Sequence, residues 1–289
     1  GIPVLGIEPA ANAAKIAEER GVPSEVAFFG RTTAVQLAER GIQADLIAAN
    51  NVLAHVPDIA DFVSGFPLLL KHDGVATFEF PHLLRLLEST QFDTIYHEHY
   101  SYLSLLAVER IFAEGGLRIF DVEELPTHGG SLRVYTQRQD GRHRITDRVA
   151  AIKGQERGAG LNKPQIYADF QSKITEVSKG FKAFLERAKQ SGKQIAAYGA
   201  AAKGNTLLNY CDVTASDISF VADRSTIKQG KLLPGSHIPV KEPGYLQIAK
   251  PDYVLILPWN LAAEISSAYA SIHAWGGQFA VAIPRMRLL

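Results

Sequence analysis

Two imidazoles, a carboxylate and two phenols fall within five consecutive residues, Tyr96-His97-Glu98-His99-Tyr100. An imidazole titrates near neutral pH, a neighbouring carboxylate can orient it, and a phenol can donate to a developing oxyanion. That inventory suits removal of a proton beside a carbonyl. Two other readings stand beside it. His97 and His99 alternate and could ligate a metal, although only Glu98 and His55 offer themselves as further ligands. The pentad could also be a polar surface loop whose aromatics cover the core.

Further segments carry polar side chains where a ligand would be expected. Glu8 ends the apolar run Val4-Leu5-Gly6-Ile7, and an acid at the carboxyl end of such a strand can accept the hydroxyls of a ribose, or is simply a solvated strand-end carboxylate. Asn50-Asn51-Val52-Leu53-Ala54-His55-Val56 also follows a strand-like run, which aims its polar groups into the same crevice or makes a capped turn. Thr127-His128-Gly129-Gly130-Ser131-Leu132-Arg133 combines a backbone able to approach a ligand closely with an imidazole, a hydroxyl and a guanidinium. A plain hairpin turn accounts for its glycines equally well.

Late in the chain, Tyr198-Gly199-Ala200-Ala201-Ala202-Lys203-Gly204-Asn205-Thr206 reads as strand, small-residue turn and helix start. Amides there, with Lys203, could cradle a phosphate. The run has neither the Gly-Lys-Ser/Thr order of a Walker loop nor the glycine spacing of a dinucleotide fingerprint. Asp223-Arg224 and Pro258-Trp259-Asn260 end later strand-like runs, where a base or ribose would lie; strand-end caps and a core Trp are the structural alternatives.

The elements that must position these groups alternate along the chain. Asn12 to Arg20 reads as a helix, Glu25 to Phe29 as a strand, Thr32 to Arg40 as a helix and Ala44 to Ala49 as a strand, which predicts a parallel α/β sheet. Asp58 to Leu70 is expected as one helix, and Gly74 to Phe80 as a strand, after which comes the aromatic and histidine pentad. Ser104 to Glu114 should be helical, and Leu117 to Val122 should pair antiparallel with Ser131 to Gln137 across their short connection, at the end of the sheet. Between Asp140 and Gln190 apolar residues recur at helical steps, expected as a linking helix. A second α/β unit follows, with strands at 194–198, 218–222, 253–257 and 279–283 and helices at 203–209 and 261–270. The expected organisation is therefore 1–139, a helical linker 140–192, and 193–289.

Composition narrows the function classes. Thirty basic residues balance thirty acidic ones among 289, which argues against a nucleic-acid or anionic-membrane footprint. The single cysteine, Cys211, permits no intrachain disulfide and no Cys-rich zinc site, and points to a reducing compartment, with the cytoplasm as the expectation. No apolar run approaches the roughly 18 residues of a membrane span, and no leader pattern opens the chain.

In order and in kind, Tyr-His-Glu-His-Tyr, His-Gly-Gly-Ser-Leu-Arg, Tyr-Gly-Ala-Ala-Ala-Lys-Gly-Asn-Thr-Leu-Leu-Asn and Pro-Trp-Asn resemble the C-methyltransferases that act on TDP-linked 3-keto-6-deoxysugars. The resemblance covers nearly the whole chain. It implies a class I methyltransferase Rossmann-like lobe followed by a C-terminal Rossmann-like α/β lobe, with S-adenosylmethionine as cofactor and S-adenosylhomocysteine as product. By position it makes His99 the general base, with Tyr96, Glu98 and His55 as companions. Glu8, Asn50 and Asn51 would meet the cofactor; His97, His128, Arg133, Tyr198, Lys203, Asn205, Asp223, Trp259 and Asn260 would meet the nucleotide sugar. No metal, nucleic acid or membrane partner is implied, and the association of chains is not read from the sequence. Two features of the family, a cysteine-rich zinc domain and a glycine-rich cofactor loop after the first strand, are absent from these residues, so the first lobe is expected to be incomplete. A catalytically silent nucleotide-sugar or partner-binding module is the alternative reading. A nicotinamide enzyme is disfavoured by the missing glycine spacing.

Overall fold

A computed structural model describes residues 1–289, which form two compact units, each around its own core. The first comprises Gly1–His82, His99–Pro126 and Gly130–Ala159; the second comprises Leu83–Glu98, Thr127–Gly129 and Gly160–Leu289.

The first unit opens with elements in the predicted order, β1 (Gly6–Ile7), α1 (Ala11–Glu19), β2 (Ser24–Glu25), α2 (Arg31–Glu39) and β3 (Ala44–Asn50), but the strand expected over 25–29 is only the two-residue β2, and 26–29 are not strand. β1 and β2 pair parallel in a small ladder of their own. The expected helix over 58–70 is instead two helices, α3 (Ile59–Ser64) and α4 (Phe66–Leu69), with β4 (Leu70–Pro81) starting where the helix was expected to end. The physical reason is Pro67, in the first turn of α4: it has no N–H to donate to the carbonyl of Val63, and its ring would clash with that carbonyl in a continuous helix. Asp58 caps α3 by accepting from the amide of Asp61.

Beyond β4 come α5 (Leu83–Glu88) and a 3₁₀ turn (Phe92–Thr94), then α6 (Leu105–Glu114), β5 (Leu117–Leu125), β6 (Ser131–Arg138) and α7 (Asp147–Gly158). The sequence reading set the pentad directly after a strand; a helix and a turn intervene, because the buried leucines of α5 form a short apolar helix of their own. β5 and β6 pair antiparallel as expected. β6, however, inserts between β4 and β5, and so runs antiparallel to both, leaving β5 at the edge of the order β3-β4-β6-β5. Between this sheet and its helices, Phe62, Phe66, Phe78 and Phe112 form a chain of ring contacts with centroids 4.5 to 5.2 Å apart. The other edge of the sheet, β3, has no strand beside it, and Leu46 on it is 63% exposed.

The second unit is built on α8 (Gln165–Gln190), β7 (Ile195–Tyr198), α9 (Ala202–Tyr210), β8 (Val221–Ala222), β9 (Val240–Lys241), α10 (Tyr245–Ala249), β10 (Tyr253–Ile256), α11 (Ala262–Ala268), β11 (Gln278–Val281) and β12 (Arg287–Leu288). Its sheet has the order β12-β11-β10-β7-β8-β9, parallel throughout except for the terminal β12. β9, α10 and β12 are too short for periodicity to announce. β7 lies between β8 and β10, and the chain leaves it in one direction and returns on the other, so the crevice at the carboxyl ends of β7 and β10 is a topological switch point. α8, expected within a linker, buries its stripe of Phe170, Ile174, Val177, Phe181 and Phe184. It belongs to the second unit, where Lys182 pairs with Asp212 and the Phe184 ring meets Tyr253. No helix is long and apolar enough to cross a membrane.

Candidate functional site

In the first unit, the backbone brings two imidazoles together. The chain turns after β3 into a 3₁₀ turn (Leu53–His55), and the carbonyl of Ala54 accepts from the amides of Tyr100 and Ser101 at 2.8 and 3.3 Å. These bonds lay the end of the pentad against the turn. As a result the His55 and His99 rings meet edge to face with centroids 4.7 Å apart, and Tyr102 lies beside His99 at 6.1 Å. Both imidazoles are partly exposed.

Asn50 is exposed at the end of β3, opposite Glu79. Asn51 takes a left-handed backbone with φ of 55° and donates its amide to the Glu79 carbonyl at 2.7 Å. Its Oδ1 is buried with no hydrogen-bond partner. An orphaned amide oxygen at a strand end asks for an N–H or O–H donor, and the ammonium of an amino acid is such a donor. Glu8 stands at the end of β1 and accepts from the amide of Ala10 through Oε1 at 2.8 Å, at the start of α1. Arg133 donates from Nη2 to the buried carboxylate of Glu79 at 2.8 Å and also lies near Glu123. The Glu79 hydrogen bond raises the Arg133 pKa further, and this pairing dominates the surroundings of the guanidinium.

In the second unit, Tyr96 is half-buried with its ring 6.5 Å from that of His97, while His97 and Glu98 are exposed. His128 is exposed in a left-handed turn residue with φ of 56°. No group of three or more His, Cys, Asp or Glu side chains gathers in a metal-binding arrangement.

The turn after β7 is built tightly. Gly199 has φ of +89°, and a Cβ there would meet Pro258 at 2.5 Å. Asp223 accepts from the amide of Ala200 at 2.7 Å with one oxygen and from that of Ser225 at 2.7 Å with the other, while Lys228 Nζ donates to the Ala200 carbonyl at 2.8 Å. Asp223 therefore clasps the turn. α9 begins here with no side chain capping its first amides, which leaves a donor-rich helix start beside Lys203. Lys203 donates to Asn260 Oδ1 at 2.8 Å and sits 4.7 Å from the Trp259 ring centroid. Burial pushes its pKa down, and the charge of Asp93 pulls it back up. Asn205 is on the same helix, and its Oδ1 is buried and unpartnered. Tyr198 points into the core and donates to the hydroxyl of Tyr269 at 2.9 Å; burial, then that bond, holds its pKa well above the usual phenol range.

Besides Glu79, two more buried acids escaped the sequence reading. Asp93 is fully buried and accepts from the Trp259 indole at 2.7 Å. Glu156 is also fully buried; it accepts from the amides of Leu105 and Leu106 at 2.6 and 2.8 Å and lies 2.8 Å from His82 Nε2. Nothing local marks either residue, since an acid in a helical or turn segment is ordinarily solvated.

Comparison with known proteins adds three findings. Residues 126–284 match the family model described as the C-methyltransferase C-terminal domain, and residues 1–122 match one described as a methyltransferase domain. Over 286 residues the chain is 37% identical to C-methyltransferase NovU of Streptomyces niveus, an alignment covering 99% of this chain and 68% of that protein. Among solved structures, magnesium protoporphyrin IX methyltransferase (ChlM) of Synechocystis PCC 6803 with bound SAH aligns at 15% identity and a TM-score of 0.37, over 48% of this chain and 65% of that one. An S-adenosylmethionine-dependent methyltransferase from Clostridium acetobutylicum ATCC 824 aligns at 10% identity and a TM-score of 0.35, over 48% and 75%.

Proposed function

We propose, for a chain that belongs to the C-methyltransferase family, that it methylates the carbon beside a ketone of a nucleotide-linked sugar through an enolate. The observation that carries this reading is the edge-to-face pair of His55 and His99, two partly exposed imidazoles brought together from segments 44 positions apart in the sequence. A neutral His99 accepts the proton from the carbon beside the ketone, and the bonding pair moves into the enolate. His55 holds the ring of His99 in place and shares the positive charge that builds on it. Tyr96, His97 and Glu98 directly precede His99 in the chain, and their side-chain types suit hydrogen bonding to an enolate oxygen and support of a charged base; one such donor is worth about 3–4 kcal/mol.

S-adenosylmethionine supplies the methyl group, its sulfur leaving with the bonding pair as S-adenosylhomocysteine. Asn51 Oδ1, buried without a donor, fits the cofactor's ammonium, and the Glu8 carboxylate fits ribose hydroxyls; Asn50 lines the same strand end. The nucleotide diphosphate falls to the start of α9, where uncapped amides and Lys203 supply positive potential, with Asn260, Trp259, Asn205 and His128 around it.

The test is calorimetric titration of the 289-residue chain with S-adenosylhomocysteine and then with thymidine diphosphate. Micromolar binding of both is expected. Binding of the nucleotide alone would make this polypeptide a nucleotide-binding relative without methyl transfer, and binding of neither would end the proposal.

A further inference from the structure

Asp93 is the least expected group in the second unit. It is completely buried, one oxygen accepts the Trp259 indole N–H at 2.7 Å, and the other has no partner. A buried carboxylate with half its capacity unmet is costly, and an apolar residue of similar volume would be easier to accommodate. Its burial there asks what it holds.

Three elements meet at this residue. The Phe92–Thr94 turn carries Asp93 and packs on α9, with the Phe92 ring 5.0 Å from that of Tyr210. The Trp259–Leu261 turn brings the indole, and the Thr127–Gly129 turn closes on it. At Gly129 a Cβ would stand 2.4 Å from the Trp259 ring, so only glycine fits, and Gln91 donates to the Gly129 carbonyl at 2.7 Å. The indole is thus wedged on one side and tied at its nitrogen. Over that ring sits the Lys203 ammonium, and Asn260, the next residue along, accepts from the same ammonium at 2.8 Å. The plane of Trp259 therefore sets where the charge of Lys203 can be.

We infer that Asp93 is a positioning residue for the anion-binding group of the second unit: by holding the Trp259 indole it fixes the ring over which Lys203 is presented at the start of α9. This rests on the reading that Lys203 receives a phosphate-bearing ligand, and deepens it by assigning the support on which that recognition depends. Without the carboxylate the indole N–H is left unsatisfied in a buried place, the ring turns to find another acceptor, and the ammonium loses both its platform and its aim.

The experiment titrates thymidine diphosphate into the full chain by calorimetry, with Trp259 emission followed in a Trp275→Phe background, since the chain has two tryptophans. Asp93→Ala is expected to weaken binding about ten-fold or more and to shift the emission of the free protein. Asp93→Asn keeps an oxygen for the indole and is expected to stay within about three-fold of wild type. Trp259→Phe keeps the ring without its N–H and is expected to fall between them, which gives a reading even if Asp93→Ala does not fold. A purely structural role would lower the melting temperature while leaving Kd of the folded protein unchanged, and that result overturns the inference. Lys203→Ala separates the two levels. If it abolishes binding while Asp93→Ala and Trp259→Phe bind like wild type, only the role of Asp93 fails; if the wild type does not bind the nucleotide, the ligand reading fails and takes this inference with it.

Discussion

The imidazole of His99 meets that of His55 edge to face, 4.7 Å between centroids, because the amides of Tyr100 and Ser101 both reach the carbonyl of Ala54. Two bases placed this way are not equivalent under the proposed chemistry: one takes the proton and the other supports it. His99→Ala is expected to slow exchange of the α-proton of a TDP-linked 3-keto-6-deoxysugar with solvent deuterium by about 10²–10⁴-fold, the range of general base catalysis. His55→Ala should slow it less. Proton NMR of the substrate in D₂O reads both, and exchange untouched in His99→Ala removes His99 from the role of base.

Asp93 makes stability depend on pH in an unusual direction. Burial raises its pKa from 3.8 to about 6, against the lowering influence of the Trp259 bond and of Lys203. The folded chain thus holds this proton more tightly than the unfolded chain does between those two values, so its contribution falls as pH rises through that window. The difference amounts to about 3 kcal/mol at 1.36 kcal/mol per pKa unit. Urea unfolding of wild type and Asp93→Asn between pH 4 and 8 should show the variant gaining on the wild type by about that amount as pH rises. Parallel profiles would mean that Asp93 is not held above its ordinary pKa.

Glu156 does for α6 what an N-cap side chain does, but from another helix. Its two oxygens satisfy the amides of Leu105 and Leu106 at the head of α6, while His82 approaches from the end of β4. Glu156→Ala leaves these donors buried and unmet, and should cost about 3–5 kcal/mol in chemical unfolding. Glu156→Gln must turn an NH₂ toward one of the donors and should fall short of full rescue. A loss under about 1 kcal/mol in Glu156→Ala would show that water reaches the site and replaces the carboxylate.

The alternation of elements and the antiparallel pairing of β5 with β6 could be read from the chain. Each depends on neighbours a few residues apart: apolar period, a glycine stop. The breaks in that reading are equally physical. The helix expected over 58–70 divides at Gly65 because Pro67, in the first turn of α4, cannot continue the hydrogen-bond ladder of α3, a local signal that apolar periodicity passes over. α8 looked like a linker because periodicity shows that a helix has an apolar face but not which core receives it.

What only the tertiary structure decided is which distant residues face one another. Arg133, expected to meet substrate, lies against Glu79, and Asp223, expected to meet a ribose or base, uses both oxygens on the backbone of its own turn. The partners of Asp93 and Glu156 lie 166 and 50–74 positions away. An acid's chemistry is set by its burial and its donors, and neither is a property of the residues beside it in sequence. The family was therefore legible in the order of the residues, while the meeting of His55 with His99 and the bond between Trp259 and Asp93 arose only when the chain closed on itself.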